Sequence, residues 1–97
     1  MNFMKFKKDH DSLQAELTGD FNLNVVRQIQ PMISDRDKLF INLGNARFVN
    51  SEAVIFLHGL LRAGKNVRLK NPPKNFFEVL QILGLHEVWD LKNIVEP

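Results

Sequence analysis

Residues 39–59 read LFINLGNARFVNSEAVIFLHG, and the fold turns on how this stretch divides. Residues 38–43 carry Leu39, Phe40, Ile41 and Leu43, a nearly unbroken apolar run that predicts a strand buried on both faces. A polar turn, Asn50-Ser51-Glu52, comes next. Val54, Ile55, Phe56, Leu57, Leu60 and Leu61 then fill most of a helix, with Gly64 placed as its C′ residue. A strand feeding a helix through a short turn is half of a β-α-β crossover. It leaves an amide, a hydroxyl and a carboxylate at a helix N-terminus, where α/β proteins often recognise ligands or partners.

Upstream, Phe3, Lys5 and Lys7 alternate with Met4 and Phe6, Asp9-His10-Asp11 forms a turn, and residues 12–18 alternate again with Leu13, Ala15 and Leu17 on one side. Two alternating runs around a short polar turn predict a hairpin, closed by Gly19-Asp20. Asn22 or Asn24 can cap a helix carrying Val25, Val26, Ile29, Met32 and Ile33. Pro31 lies inside it, removes the donor to the Arg27 carbonyl and should kink or shorten it.

Downstream, residues 66–70 alternate as a strand and Asn71-Pro72-Pro73 makes a rigid connection. Asn75 can cap a helix with Phe76, Phe77, Val79, Leu80 and Leu83 inward, which Gly84 stops; residues 88–91, around Trp89, read as a last short strand. The expected order is β-β-α-β-α-β-α-β, an α/β fold in one domain over residues 1–97, with a mixed sheet and an N-terminal antiparallel hairpin.

Ninety-seven residues with 44% hydrophobic and 25% charged residues suit one small globular domain. The chain has no cysteine, which removes disulfide scaffolds, thiolate metal sites and cysteine nucleophiles. No stretch approaches the roughly 18 to 20 apolar residues of a membrane span, and residues 1–10 lack the apolar core of a signal peptide, so the cytoplasm is the expected location. The formal net charge is +2 and acidic residues dilute each run of Lys and Arg along the chain, so no nucleic-acid partner is expected. His10, His58 and His86 share no ligand spacing, and no triad, paired carboxylates or glycine-rich phosphate loop can be assembled. The sequence therefore predicts no enzyme, no cofactor and no metal. Phe40, Phe48, Phe56, Phe76 and Phe77 are expected mostly in the core, with Trp89 partly exposed and able to anchor a partner.

Three segments resemble the STAS domain, the family of bacterial anti-sigma-factor antagonists and of domains attached to sulfate transporters. They are Gly19-Asp20-Phe21, residues 38–61, and Gly64-Lys65-Asn66-Val67-Arg68-Leu69 followed by Asn71-Pro72-Pro73 and residues 79–85. The resemblance implies a STAS-like fold and a non-enzymatic regulatory role exercised by binding protein. The family's signature, Asp-Ser-Ser-Gly or Asp-Ser-Thr-Gly at the start of the second helix, carries a phosphorylated hydroxyl at its third position. Here the run is Asn50-Ser51-Glu52-Ala53, a degenerate form in which Ser51 survives and Glu52 occupies the acceptor position.

A serine/threonine kinase cannot phosphorylate Glu52, which sets one permanent charge where phosphate would bring about −1.5 to −2. Glu52 either mimics the modified state or is a helix-start acid favoured by the dipole; the resemblance favours a role in recognition. Ser51 and Asn50 read first as caps. The resemblance implies a partner surface of Asp20, Asn50, Ser51, Glu52 and Ile55, with Asp20 in a loop over residues 19–22. The implied partner is an anti-sigma kinase-like protein or, alternatively, the ATPase of a lipid-transporting ABC system, with a small-ligand-binding domain the remaining reading. It also implies a longer C-terminal helix than residues 92–97 provide, leaving one sheet face for a homodimer or a partner helix.

Overall fold

A computed structural model describes residues 3–97, so positions 1 and 2 of the expected 1–97 domain, and of the segment read for a signal peptide, lie outside the described residues. The order is β1 (Phe3–Lys8), β2 (Ser12–Phe21), α1 (Leu23–Ile33), β3 (Lys38–Val49), α2 (Ser51–Arg62), β4 (Asn66–Lys70), α3 (Lys74–Ile82), α4 (Leu91–Ile94) and β5 (Val95–Glu96). The five strands lie side by side in chain order, with β1 antiparallel to β2 and every other pair parallel. This is the expected mixed sheet with its N-terminal hairpin.

Each helix presents one apolar stripe to the same face of the sheet. Val25, Val26, Ile29 and Ile33 of α1, Ala53, Val54, Leu57 and Leu60 of α2, and Phe76 and Leu80 of α3 are buried. They share one core with Leu13, Ala15 and Leu17 of β2, Leu39, Ile41 and Leu43 of β3, and Val67 and Leu69 of β4. The helix ends follow local rules. The Asn22 side chain caps α1 by accepting from the Val25 N–H at 3.2 Å. Pro31 sits within α1, which stops two residues later, and Lys65 Nζ donates to the Arg36 carbonyl at 2.6 Å just beyond that end. Gly64 and Gly84 take φ of +85° and +72°. In each case the following N–H reaches back to the helix, Lys65 to the Leu60 carbonyl and Leu85 to the Leu80 carbonyl. These are Schellman closures, which favour glycine.

The structure changes several expectations. Strand β3 runs on to Val49 rather than stopping at Leu43, and over 38–43 it is buried on one face only, because no helix covers the other. The expected strand over 88–91 is instead a turn leading into α4, and the edge position beside β4 is taken by Val95–Glu96, paired with Leu69 and Lys70. Trp89 lies in this turn. It is buried at 6% exposure against Phe76, with ring centroids 5.9 Å apart, and its indole N–H donates to His58 Nδ1 at 3.1 Å. Trp89 is thus a core anchor and not an exposed one. Of the five phenylalanines expected mostly inside, only Phe76 is fully buried; Phe40 and Phe56 are half-buried, while Phe48 and Phe77 are exposed. Asn75 does not cap α3, whose N-cap position is Pro73.

Replacing Trp89 with Phe keeps most of the buried ring but leaves His58 Nδ1 without its donor. Urea unfolding should register a loss of about 1–2 kcal/mol, and Trp89→Ala about 3–5 kcal/mol.

Candidate functional site

The polar turn at the end of β3 is held from three directions. On one side Val49 stands in register with Phe21 of β2, and the Asn50 N–H donates to the Phe21 carbonyl at 2.9 Å. On the other side β4 pairs only with residues 38–42 of β3, so the later residues of β3 extend past it. Asn75, from the first turn of α3, fills that position at Val49. Its Oδ1 accepts from the Val49 N–H at 2.9 Å and its Nδ2 donates to the Val49 carbonyl at 2.8 Å. A side-chain amide offers one donor and one acceptor in the geometry of a peptide group, so Asn75 stands in for a missing strand residue. Below, Ala53 and Val54 plug the start of α2 into the core at 0% exposure.

With the backbone fixed in this way, the side chains of the turn point outward. Ser51 and Glu52 are exposed and Asn50 is half-buried. Asn50 occupies the N-cap position of α2 and its carbonyl accepts from the Ala53 and Val54 N–H groups, yet its side chain makes no cap bond. The expected side-chain cap is therefore absent. Glu52 lies in the first turn, where the helix dipole favours an acid. Ile55 is 57% exposed and lies one turn beyond Ser51 and Glu52, on their helix face.

Asp20 belongs to β2, not to a loop. The strand continues to Phe21 through register shifts at 16/18 and 19/20, and Gly19 adopts φ of +95° between them. Asp20 is the register partner of Phe48, which is 46% exposed. Its carboxylate receives a two-pronged contact from Arg47: Nε at 3.2 Å to one oxygen and Nη2 at 3.3 Å to the other. The hydrogen bond to Asp20 and then its negative charge raise the Arg47 guanidinium above its ordinary range. The structure thus gathers Asp20, Asn50, Ser51, Glu52 and Ile55 along one strand–helix junction. It adds Arg47, Phe48 and Asn75, which sequence reasoning missed. An exposed Phe beside an Arg in a polar stretch was the available signal for the first two. For Asn75 there was none, since its partners are backbone atoms 26 residues away.

Two clefts among the described residues, one on the sheet and one beside Trp89, are lined by other residues than these. No group of three or more His, Asp or Glu among the described residues is placed to hold a metal ion, and no helix is long and apolar enough to cross a membrane. The arrangement offers an exposed surface of mixed polar and apolar groups.

Comparison with solved structures identifies the architecture. The chain has the STAS fold. The unphosphorylated form of the anti-sigma factor antagonist SpoIIAA superposes with a TM-score of 0.70 at 19% identity, over 97% of this chain and 86% of that one. The phosphorylated form of SpoIIAA, a Bacillus cell fate determinant, gives 0.68 at 19% identity over 97% and 89%. An anti-sigma factor antagonist from Mycobacterium paratuberculosis gives 0.71 at 11% identity, over 100% of this chain and 86% of that one. No family model matches the sequence, and no curated protein does.

Asn75→Ala should lower stability by about 2–3 kcal/mol in urea unfolding, because two backbone groups at Val49 lose their partners. In hydrogen exchange the Val49 amide should lose protection, while the β1–β2 amides stay unchanged. Asn75→Asp keeps the acceptor but sets a carboxylate oxygen against the Val49 carbonyl, and should be at least as destabilising.

Proposed function

We propose that this chain is a non-enzymatic regulatory module of the anti-sigma factor antagonist kind, which binds a protein partner through the junction of β2, β3 and α2. Asp20, Asn50, Ser51, Glu52 and Ile55 form the contact surface, and Phe48 and Arg47 extend it. The observation that carries this reading is the exposed Glu52 in the first turn of α2 of a STAS fold. SpoIIAA exists in phosphorylated and unphosphorylated forms, so that neighbour accepts phosphate. In this chain the STAS signature implies an acceptor at position 52, which holds a carboxylate and no hydroxyl.

The chemistry follows from charge and location. A phosphate at a helix N-terminus meets exposed N–H groups and the positive end of the dipole. A carboxylate supplies about half that charge and two oxygens in place of three. Glu52 therefore biases the surface permanently toward one binding state, and the partner is selected without a phosphorylation cycle. Phe48 and Ile55 supply apolar contact area, and Asp20 with Arg47 supplies a fixed charged pair beside it. The partner class we favour is an ATP-binding anti-sigma protein, and the setting is the cytosol.

Two measurements test this. Intact-mass analysis after incubation with such a partner and ATP should show no added phosphate, whereas stoichiometric phosphate on Ser51 would overturn the unswitched reading. Affinity capture followed by titration should show Ile55→Arg and Phe48→Ala each weakening the partner by tenfold or more, with circular dichroism unchanged. Capture of an ABC-system ATPase in place of an anti-sigma protein would reject the partner class. Asp20→Asn should lower the unfolding midpoint only modestly, because the Arg47 side of the pair is mostly exposed, while slowing association measurably.

A further inference from the structure

The face of the sheet turned away from the helices is a second, distinct surface. Strand register builds it from residues far apart in the chain. One row across four strands reads Lys7, Gln14, Phe40, Arg68, and the next, across five, reads Lys5, Glu16, Asn42, Lys70, Glu96. All nine line a shallow cleft of about 450 Å³. Its four cations and two carboxylates sum to +2, the formal net charge of the whole chain, so the remaining surface is neutral on balance. Both acids lie in the second row, and the row containing Phe40 has none.

We propose that this face binds single-stranded nucleic acid, with one base stacked on Phe40 and the flanking phosphates held by Lys5, Lys7, Arg68 and Lys70. Phe40 is half-buried at the middle of the sheet, with its direct neighbours Gln14 and Arg68 and, two residues on, Asn42. An aromatic ring on a sheet supports the flat face of any unpaired base, and side-chain amides offer a donor and an acceptor to its edge. Lys7 and Arg68 stand about 14 Å apart across three strand spacings, which places positive charge on both sides of one stacked base. A duplex hides its base faces, so the Phe40 ring would have nothing to stack on. An acidic peptide would use the cations but leave Phe40 without a flat partner. Along the sequence these cations are diluted by acids; the sheet gathers them.

Fluorescence anisotropy of the full chain with fluorescein-labelled rU10 and dT10 tests the proposal, and the two probes separate RNA from DNA. Binding should saturate at 50 mM salt and weaken about 18- to 50-fold at 200 mM, as expected for three or four phosphate contacts on a single strand. Phe40→Ala should weaken binding about fivefold to a hundredfold. The exposed pair Arg68→Glu with Lys70→Glu should abolish it, and Lys74→Glu, on α3, should change it less than twofold. Failure of both probes to saturate at 50 mM salt would overturn the proposal. So would equal affinity for a ten-residue glutamate peptide, or no effect of Phe40→Ala in a variant that remains folded. Self-association in sedimentation that Arg68→Glu removes would assign the face to a second copy instead.

Discussion

The three longer helices all pack against one face of the sheet, and each strand must therefore sort its residues between an apolar interior and water. In β2, β3 and β4 the inward positions are Leu, Ile, Val, Ala and, at the end of β2, Phe21, and the alternate positions are mostly polar or charged. Burial of the inward set against α1, α2 and α3 supplies the driving force for folding. It also fixes register, since a slip of one residue would turn Leu39, Ile41 and Leu43 toward solvent and bring Phe40 and Asn42 under the helices. The β2–β3–α2 junction and the open face both follow from that single choice of side.

At the junction, the atoms that hold the backbone in place are not the ones presented to solvent. Val49 is gripped by backbone pairing to β2 and by the Asn75 amide, and Ala53 and Val54 anchor α2 from below. None of these interactions involves the side chains of Ser51, Glu52 or Ile55, which are exposed. Their identity can change without disturbing the core, which is how one fold carries different chemistry at the same place. The exposed run Asn50-Ser51-Glu52 is carried on a backbone that has the STAS fold.

The parts of the fold visible in the sequence are those set by neighbours a few residues apart. The apolar stripes of α1 and α2 repeat at helical spacing, Gly64 and Gly84 sit where a left-handed closure is required, and the Leu13-Ala15-Leu17 alternation marks β2. The parts that were not visible depend on remote partners. Residues 44–48, Gly-Asn-Ala-Arg-Phe, have no strand-like pattern and are held extended by pairing with β2. Trp89 reads as part of a strand until the space beside Phe76 and the lone pair of His58 are known. Val95–Glu96 is too short to announce itself and exists as a strand only because β4 presents an unpaired edge. At the site, Glu52 and Ile55 were legible from helical position, whereas Asn75 and the Asp20–Arg47 pair join residues 26 and 27 positions apart.

By itself the sequence determined the local choices: which segments coil, where they stop, and that an acid stands at the start of α2. Those choices follow from side-chain period, glycine conformation and dipole, all of which act within a turn or two of the chain. Only the tertiary structure decided which residues share a surface. Lys7 and Arg68 are separated by sixty positions of mixed charge along the chain, yet cross-strand register brings them into one row on either side of Gln14 and Phe40. Electrostatic and stacking interactions depend on distance in space, and that distance is set by the strand pairing that buries the opposite face.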